Sequence, residues 1–130
     1  MPKVSLVTVT LQNKPGTLAQ VSSALGEAGV NISALLAPEI RGKGRVRLLV
    51  DNLDKAKDAL KAAKIRFGEE EVIAAELDNK PGALGEVAEK LAQAKINIRY
   101  AYATTSEGSA KATVVLAVPD VAKALGVLGG

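Results

Sequence analysis

Two short segments of identical sequence carry the residues best suited to hold an anionic group. Asn-Lys-Pro-Gly occurs at 13–16 and again at 79–82, each time directly before a helical pattern. The first N–H groups of a helix have no partner inside the helix, and a glycine there lets the backbone come close to an anion. The N–H groups that these two helix openings offer to a carboxylate are those of Gly16, Thr17 and Leu18 and those of Gly82, Ala83 and Leu84.

The sequence contains no comparable set of residues for catalysis. The 130 residues include no cysteine and no histidine. Disulfides, thiolate metal sites and cysteine nucleophiles are therefore excluded, as is the commonest metal ligand and general base near neutral pH. The Asn-Lys-Pro-Gly segments also contain no pair of carboxylates that could act together as an acid and a base. We therefore expect no catalytic residues, no metal site, no cofactor and no enzymatic activity.

The two helix openings belong to an internal repeat. Residues 11–37 match the residues 66 positions later without a gap, with twelve identities. Identities include Val21 with Val87 and Leu25 with Leu91, which have the spacing of a buried helical stripe. The chain is therefore a duplication. We predict two domains, at 1–68 and 69–130.

Each copy predicts the same succession of elements. Alternating apolar and polar residues predict a strand before each Asn-Lys-Pro-Gly segment, and the proline is expected at the first position of the next helix. Leu18, Val21 and Leu25 are expected on the buried stripe of that helix in the first copy. Two more strands follow, and then a second helix with Asp54 or Asp120 as its N-terminal cap.

The resulting order, β-α-β-β-α-β, is the ferredoxin-like arrangement. We predict an α+β fold in which each unit is an antiparallel sheet with both helices on one face. The last strand of the first copy is expected near 64–67. By the repeat, the same strand of the second copy would begin at about residue 131, beyond Gly130. The second copy is therefore predicted to lack its final strand or to receive it from another chain.

Two patterns that recur in both copies resemble the ACT domain. They are Asn-x-Pro-Gly-x-Leu at the first helix and Val/Ile-Asn-Ile at the second strand, found at 13–18 with 30–32 and at 79–84 with 96–98. ACT domains bind amino acids and regulate amino-acid metabolism. The resemblance covers nearly the whole chain and implies a stand-alone tandem ACT protein that senses a free amino acid allosterically. It also implies a homodimer or a regulated protein as the partner.

The resemblance further implies where a ligand binds. In the family, two ACT units pair side by side into one continuous antiparallel sheet with the helices on one face. Ligands lie where the units meet, against the loop before the first helix and the start of the second strand. Leu11 and Leu77 stand where some relatives carry a histidine that contacts the ligand. The other residues implicated by position are Asn13, Asn31 and Ile32 in the first copy and Asn79, Asn97 and Ile98 in the second.

Asparagine suits a ligand that carries both charges, because its amide donates and accepts hydrogen bonds and can meet either an ammonium or a carboxylate group. A purely structural alternative exists for each of these residues. The two loop asparagines can bond their own backbone, and the other two can simply begin a strand. Tyr100 and Tyr102 share a strand face and either border the ligand or pack in the core.

Two other classes of function, an interaction protein and an RNA-binding protein, are alternatives to amino-acid sensing. An interaction protein would pair through its sheet edges and have no functional ligand site. RNA binding suits the net charge of +3, but the third strands, at 45–51 and 111–118, contain none of the aromatic residues on which bases stack. No apolar run approaches the ~20 residues of a membrane span, and the start, Met-Pro-Lys-Val-Ser, leads directly into a strand. We therefore expect a soluble, cytoplasmic protein without a nucleic-acid or membrane partner.

Overall fold

The structure is a computed structural model that describes residues 3–12, 15–37, 39–40 and 43–129, with the backbone alone at 11, 12, 39, 40 and 43. The helices are α1 (Thr17–Glu27), α2 (Leu53–Ala62), α3 (Ala83–Gln93) and α4 (Val121–Leu128). The strands are β1 (Lys3–Gln12), β2 (Ile32–Leu36), β3 (Glu39–Ile40), β4 (Lys43–Val50), β5 (Gly68–Asp78), β6 (Tyr100–Thr104) and β7 (Lys111–Ala117). Contacts divide the chain into a first unit, Ser5–Glu70, and a second unit, Met1–Val4 with Glu71–Gly130.

The first unit is an antiparallel sheet with two helices on one face. Its strands lie in the order β2-β4-β1, and the short β3 pairs with β4. Alternate residues of β1 and β4 turn towards the helices, because successive side chains of a strand point to opposite faces. The buried core consists of Val7, Val9, Val21, Leu25, Val30, Val46, Leu48, Ala56 and Leu60.

The second unit repeats this architecture. Its strands lie in the order β5-β7-β6, with Ala75 opposite Val114 and Tyr102 opposite Val115. The helices α3 and α4 cover one face of the sheet. The buried core consists of Ile73, Ala75, Leu77, Val87, Leu91, Ile96, Val114, Leu116, Val118 and Ala124. The buried side chains of both cores are aliphatic, in agreement with a sequence that is 48% hydrophobic but only 2% aromatic.

Two long strands divide their residues between the units. In β1, Lys3 and Val4 belong to the second unit and the rest to the first, whereas in β5 residues 68–70 belong to the first unit and the rest to the second. The repeat pairs positions 3 and 4 with 69 and 70, so each unit includes the start of the strand that opens the other copy. The second copy therefore takes strand residues from the start of the chain.

The short strand expected at 64–67 is a wrong prediction. Those residues follow α2 without forming a strand, and β5 begins at Gly68 and continues without a break to Asp78. Residues 68–70 are the part of this strand that belongs to the first unit. Sequence periodicity could not reveal this, because one uninterrupted strand replaces the two separate strands that the repeat suggests.

The starts of α1 and α3 differ from the prediction. Gly16 and Gly82 cap these helices with φ angles of +92° and +88°, a left-handed conformation that glycine adopts without steric cost. Helical geometry begins only after them. The preceding prolines at 15 and 81 therefore lie in the turn and not at the first helical position.

The second helices of the two copies are capped by side chains. The carbonyl oxygen of the Asn52 side chain accepts the Lys55 N–H at 3.0 Å, so Asn52 caps α2 and the prediction of Asp54 is wrong. The equivalent prediction in the second copy is confirmed, since Asp120 caps α4 by accepting the Lys123 N–H at 3.0 Å. Such caps typically stabilise a protein by about 0.5–2 kcal/mol.

The two units confirm the predicted α+β class and the ferredoxin-like arrangement of each copy. Along the part of the chain that the structure describes, none of the helices is both long and apolar enough to cross a membrane.

Candidate functional site

The helix openings of the Asn-Lys-Pro-Gly segments differ from the other helix starts. Neither Gly16 nor Gly82 can provide a side-chain cap, and no side chain of the described residues takes that place at α1 or α3. At α3, the Ala83 N–H donates to the Lys80 carbonyl at 3.4 Å, and the regular helical bonds begin with the Glu86 N–H to the Gly82 carbonyl at 3.0 Å. The N–H groups of Leu84 and Gly85 between them are the helix donors available to an external acceptor.

A cavity of about 260 Å³ lies beside this opening of the second unit. It is near the lower end of the range for small-molecule sites, and a free amino acid is small enough for it. Buried or half-buried apolar side chains contribute part of its lining, namely Leu77, Ala83 and Val87. Charged side chains of both signs contribute the rest, namely Glu76, Asp78, Lys80, Glu86, Lys90 and Lys111.

Asp78 and Lys111 form the closest charged pair at the cavity. They lie opposite each other on β5 and β7, and Lys111 Nζ donates to Asp78 Oδ1 at 2.6 Å. Lys80 Nζ lies 3.9 Å from the other carboxylate oxygen, Oδ2. The hydrogen bond from Lys111, and then the charges of Lys111 and Lys80, lower the pKa of Asp78 below its ordinary value of 3.8. The same hydrogen bond raises the pKa of Lys111 above 10.5.

Removing the lysine of this pair should move the pKa of Asp78 towards its ordinary value. Because its folded pKa is lowered, Asp78 contributes stability that is present above pH 3.8 and is lost as the pH falls through the folded value. In a ¹³C NMR titration we expect the Asp78 carboxyl to have a midpoint below 3.8 in the parent protein, and Lys111→Gln to move it upwards. Since both side chains are solvent-exposed, the free energy of unfolding should change little. An unaltered midpoint in Lys111→Gln would show that the pair does not form in solution.

Asn79 uses part of its hydrogen-bonding capacity within the second unit. Its backbone N–H donates to the Ala110 carbonyl at 3.0 Å, and its side-chain Nδ2 donates to the Ser109 carbonyl at 3.0 Å. These bonds hold the loop before α3 against the loop between β6 and β7. An amide anchored through its nitrogen still has a carbonyl oxygen that can accept a bond from an ammonium group. The loop role and a ligand role are therefore compatible for this residue.

Two predicted apolar positions at the helix openings are exposed to solvent. Leu18 and Leu84 occupy the same place in the two copies, and their side chains are 39% and 48% exposed. The placement of Leu18 on the buried stripe of α1 is therefore wrong, whereas Val21 and Leu25 are buried as expected. Each opening thus presents an apolar surface beside its N–H groups.

The remaining predicted residues at the openings differ in how much of them the structure describes. Thr17 is half-buried at the start of α1, and Leu77 is 9% exposed within the core of the second unit. The backbone of Leu11 lies opposite Gly44 in the sheet, but its side chain lies outside the described part. Asn13 also lies outside the described residues.

The asparagines before the second strands lie at the other end of each unit. In the second unit, the neighbouring Arg99 N–H bonds to Ala117 at the end of β7, whereas Asn79 lies near its start. The six-residue step from Lys111 to Ala117 corresponds to about 20 Å of strand. Asn97 therefore cannot share a ligand with Gly82 inside one unit.

The first unit shows the same separation. Asn31 follows the end of α1, and its N–H donates to the Asp51 carboxylate at 3.0 Å while its carbonyl accepts the Asp51 N–H at 3.1 Å. The side chains of Asn31 and Asn97 are both exposed. The adjacent Ile32 and Ile98 are half-buried and pack against the cores of their own units. A role for these four residues in ligand binding remains a prediction.

Sequence reasoning missed the charged residues around the cavity. Asp78 was visible next to Asn79, but Lys111 is 33 positions away and meets it only through the register of β5 with β7. The repeat contains one indication of these residues. The Asn-Lys-Pro-Gly segments are identical in the two copies, whereas three neighbouring positions are charged only in the second copy. Glu76, Asp78 and Glu86 replace Thr10, Gln12 and Gln20 of the first copy. Across the described ranges, no three side chains of the metal-binding types come together at a possible metal site.

Comparisons with known proteins agree with this architecture. The family model described as ACT domain pair matches residues 3–127. A crystal structure of a protein from Bacteroides thetaiotaomicron is similar at 30% sequence identity with a TM-score of 0.90, over 98% of this chain and 87% of that one. The ligand-free regulatory subunit of aspartate kinase from Thermus thermophilus has a TM-score of 0.65 at 18% identity, over 99% and 96% of the two chains. Its counterpart from Thermus flavus has a TM-score of 0.61 at 18% identity, over 98% and 90%. Comparison with curated protein sequences finds no match.

Proposed function

Since the chain belongs to the family of ACT domain pairs, we propose that it is a regulatory protein that binds a free amino acid at the opening of α3. Binding would alter its association with a second copy or with another protein, and no catalytic step is part of the proposal. The shared fold with the regulatory subunit of aspartate kinase makes a regulatory role reasonable, although at 18% identity the likeness concerns the fold alone.

The uncapped start of α3 beside a cavity is the observation that carries the proposal. The helix presents the Leu84 and Gly85 N–H groups without a side-chain cap, whereas Asn52 and Asp120 cap α2 and α4. Unsatisfied N–H groups and the partial positive charge of a helix start favour a bound carboxylate. The α-carboxylate of an amino acid provides such an acceptor.

The charged residues at the cavity complement the other parts of an amino acid. Lys80 and Lys111 can reinforce the binding of the carboxylate, and Asp78 or Glu86 can accept hydrogen bonds from the ammonium group. The half-exposed Leu84 and the half-buried Ala83 provide apolar contact for the ligand's side chain. Each charge-assisted hydrogen bond contributes about 1.5–3 kcal/mol, so three such bonds supply about 4.5–9 kcal/mol, which offsets much of the cost of association.

The first copy is expected to bind its ligand differently. Its positions equivalent to the three acids are Thr10, Gln12 and Gln20, which carry no negative charge to hold an ammonium group. The helix opening itself is retained, with Gly16 in the same conformation as Gly82. We therefore propose that the second unit holds the principal amino-acid site.

An interaction protein that pairs through its sheet edges is the second candidate. Leu35 favours it, because this side chain lies on β2 at the edge of the first unit's sheet and is 43% exposed. This reading predicts stable association between copies or with a partner, and no response to amino acids. The two candidates thus differ in a directly measurable property.

A thermal-shift screen against the twenty amino acids tests the proposal. A true ligand at about 100 times its dissociation constant stabilises the folded protein by about 2.7 kcal/mol. Asp78→Asn and Lys111→Gln should each reduce that shift, because both residues line the cavity. Lys123→Gln is the matched control, because Lys123 is an exposed residue of α4 that does not line the cavity. A melting temperature that no amino acid changes would favour the interaction protein.

A further inference from the structure

A second cavity, of about 390 Å³, lies in the first unit and shares no residue with the cavity beside α3. Its lining is formed by Thr8, Thr10, Arg45, Arg66, Phe67 and Gly68. The neighbouring strand residues Val9 and Val46 are buried towards the helices. Thr8, Thr10 and Arg45 alternate with them and therefore face the side of the sheet that carries no helix.

The cations of this cavity are not paired with the neighbouring acids that the structure describes. Arg47 and Glu70 are paired at 3.2 Å with both side chains largely buried, and Glu69 pairs with Lys57 at 2.9 Å. The acids that follow Gly68 are thus engaged with other cations. Over the ranges that the structure describes, Arg45 and Arg66 have no ion-pair partner. Two guanidinium groups therefore line one cavity without an ion pair to any acid whose side chain the structure describes.

The polar groups at the cavity match the oxygen atoms of a phosphate group. Thr10 lies directly opposite Arg45 on the paired strands β1 and β4, which brings a hydroxyl beside a guanidinium group. Two guanidinium forks and two hydroxyls provide more donors than one carboxylate can accept, but a terminal phosphate can accept them all. The half-buried ring of Phe67 adds an apolar surface for the rest of a ligand.

The approach of β5 to β1 fixes one hydroxyl of this set. A Cβ atom placed on Gly68 would lie 3.0 Å from Thr8 Oγ1, closer than ordinary van der Waals contact. Glycine at this position therefore leaves room for the threonine hydroxyl at the cavity.

The second copy lacks this combination of residues. Ala74 and Glu76 stand at the positions of Thr8 and Thr10, so one hydroxyl is lost and the other is replaced by a negative charge. Lys111 replaces Arg45, and it is paired with Asp78 at 2.6 Å. The basic cavity is thus a property of the first unit alone and is not explained by the repeat.

We propose that this cavity binds the phosphate group of a small phosphorylated metabolite through Arg45, Arg66, Thr8 and Thr10. The site would let the protein respond to a second kind of ligand besides an amino acid. It does not depend on the amino-acid site, because the two cavities share no residue.

Isothermal titration calorimetry with inorganic phosphate, adenosine 5′-monophosphate and uncharged adenosine tests this site. We expect the first two probes to bind and adenosine not to bind. Arg45→Gln and Arg66→Gln should each weaken binding about tenfold or more, as expected for loss of a charge-assisted hydrogen bond. Thr10→Glu, which introduces the residue type of the second copy, should abolish binding. Lys61→Gln, an exposed residue at the end of α2, should leave the affinity within about twofold of the parent.

The melting temperatures of the variants show whether each one still folds. We expect no large change in melting temperature, because Arg45 and Arg66 are exposed. Absence of binding by both phosphate probes at about 10 mM, about ten times the dissociation constant of a ~1 mM ligand, would overturn the proposal. Equal affinity in the parent and both arginine variants would also overturn it. Binding of a single-stranded RNA oligomer without binding of the mononucleotide would point instead to a nucleic-acid surface and would likewise refute it.

Discussion

Leu91→Ala is expected to lower the free energy of unfolding by about 2–5 kcal/mol, the range for removing a large aliphatic side chain from a close-packed core. Leu91 is completely buried between α3 and the sheet of the second unit. The loss combines the transfer free energy of the deleted atoms with the cost of the cavity. Since small domains are typically stable by about 5–15 kcal/mol, this single change removes a large fraction of the total.

Urea denaturation of Leu91→Ala and Leu84→Ala measures the effect with an internal control. Both leucines belong to α3, but Leu84 is 48% exposed, so its truncation should change stability by only about 0.5 kcal/mol or less. Leu84→Ala should instead weaken the response to an amino acid, because this side chain flanks the helix opening. Equal losses of stability in the two variants would show that the burial of α3 differs from that described.

Val4→Pro is expected to destabilise the second unit, although Val4 directly precedes Ser5, where the first unit begins. Val4 belongs by its contacts to the unit that contains residues 71–129. A proline inside a strand removes an N–H donor and is poorly tolerated away from sheet edges, so a cost of about 1–3 kcal/mol is reasonable. Hydrogen exchange followed by mass spectrometry should show faster exchange in α3, α4 and β7.

The repeat provides the matched variant for this experiment. Glu70 is equivalent to Val4 and belongs to the first unit, so Glu70→Pro should accelerate exchange in α1, α2 and β4. The two variants should therefore affect opposite units. If each variant accelerated exchange only in the residues next to the substitution, the division of β1 and β5 between the units would be incorrect.

The sequence predicted the repeated architecture because that architecture follows from local patterns. The stripe containing Val21 and Leu25 and its twin containing Val87 and Leu91 are buried as their spacing required. The glycine-led helix openings were also found from the sequence. Their conformation was not, because the left-handed φ of Gly16 and Gly82 makes them caps and moves the prolines out of the helix.

The features that the sequence did not predict depend on residues far apart in the chain. Lys3 and Val4, near the start of the sequence, belong to the same unit as residues 71–129. No local periodicity of the sequence indicates this. The pairing of Asp78 with Lys111 requires the register of two strands. The charged part of the candidate site was therefore missed, whereas its backbone part, at the start of α3, was predicted.

Binding of an amino acid at the start of α3 is most directly measured by a ¹H–¹⁵N NMR titration with each of the twenty amino acids in turn. For at least one of them, we expect saturable shifts that are largest for the Leu84 and Gly85 amides and are reduced in Lys111→Gln. If none of the twenty moves these amides, or if the largest shifts lie away from the start of α3, the proposed amino-acid site is contradicted.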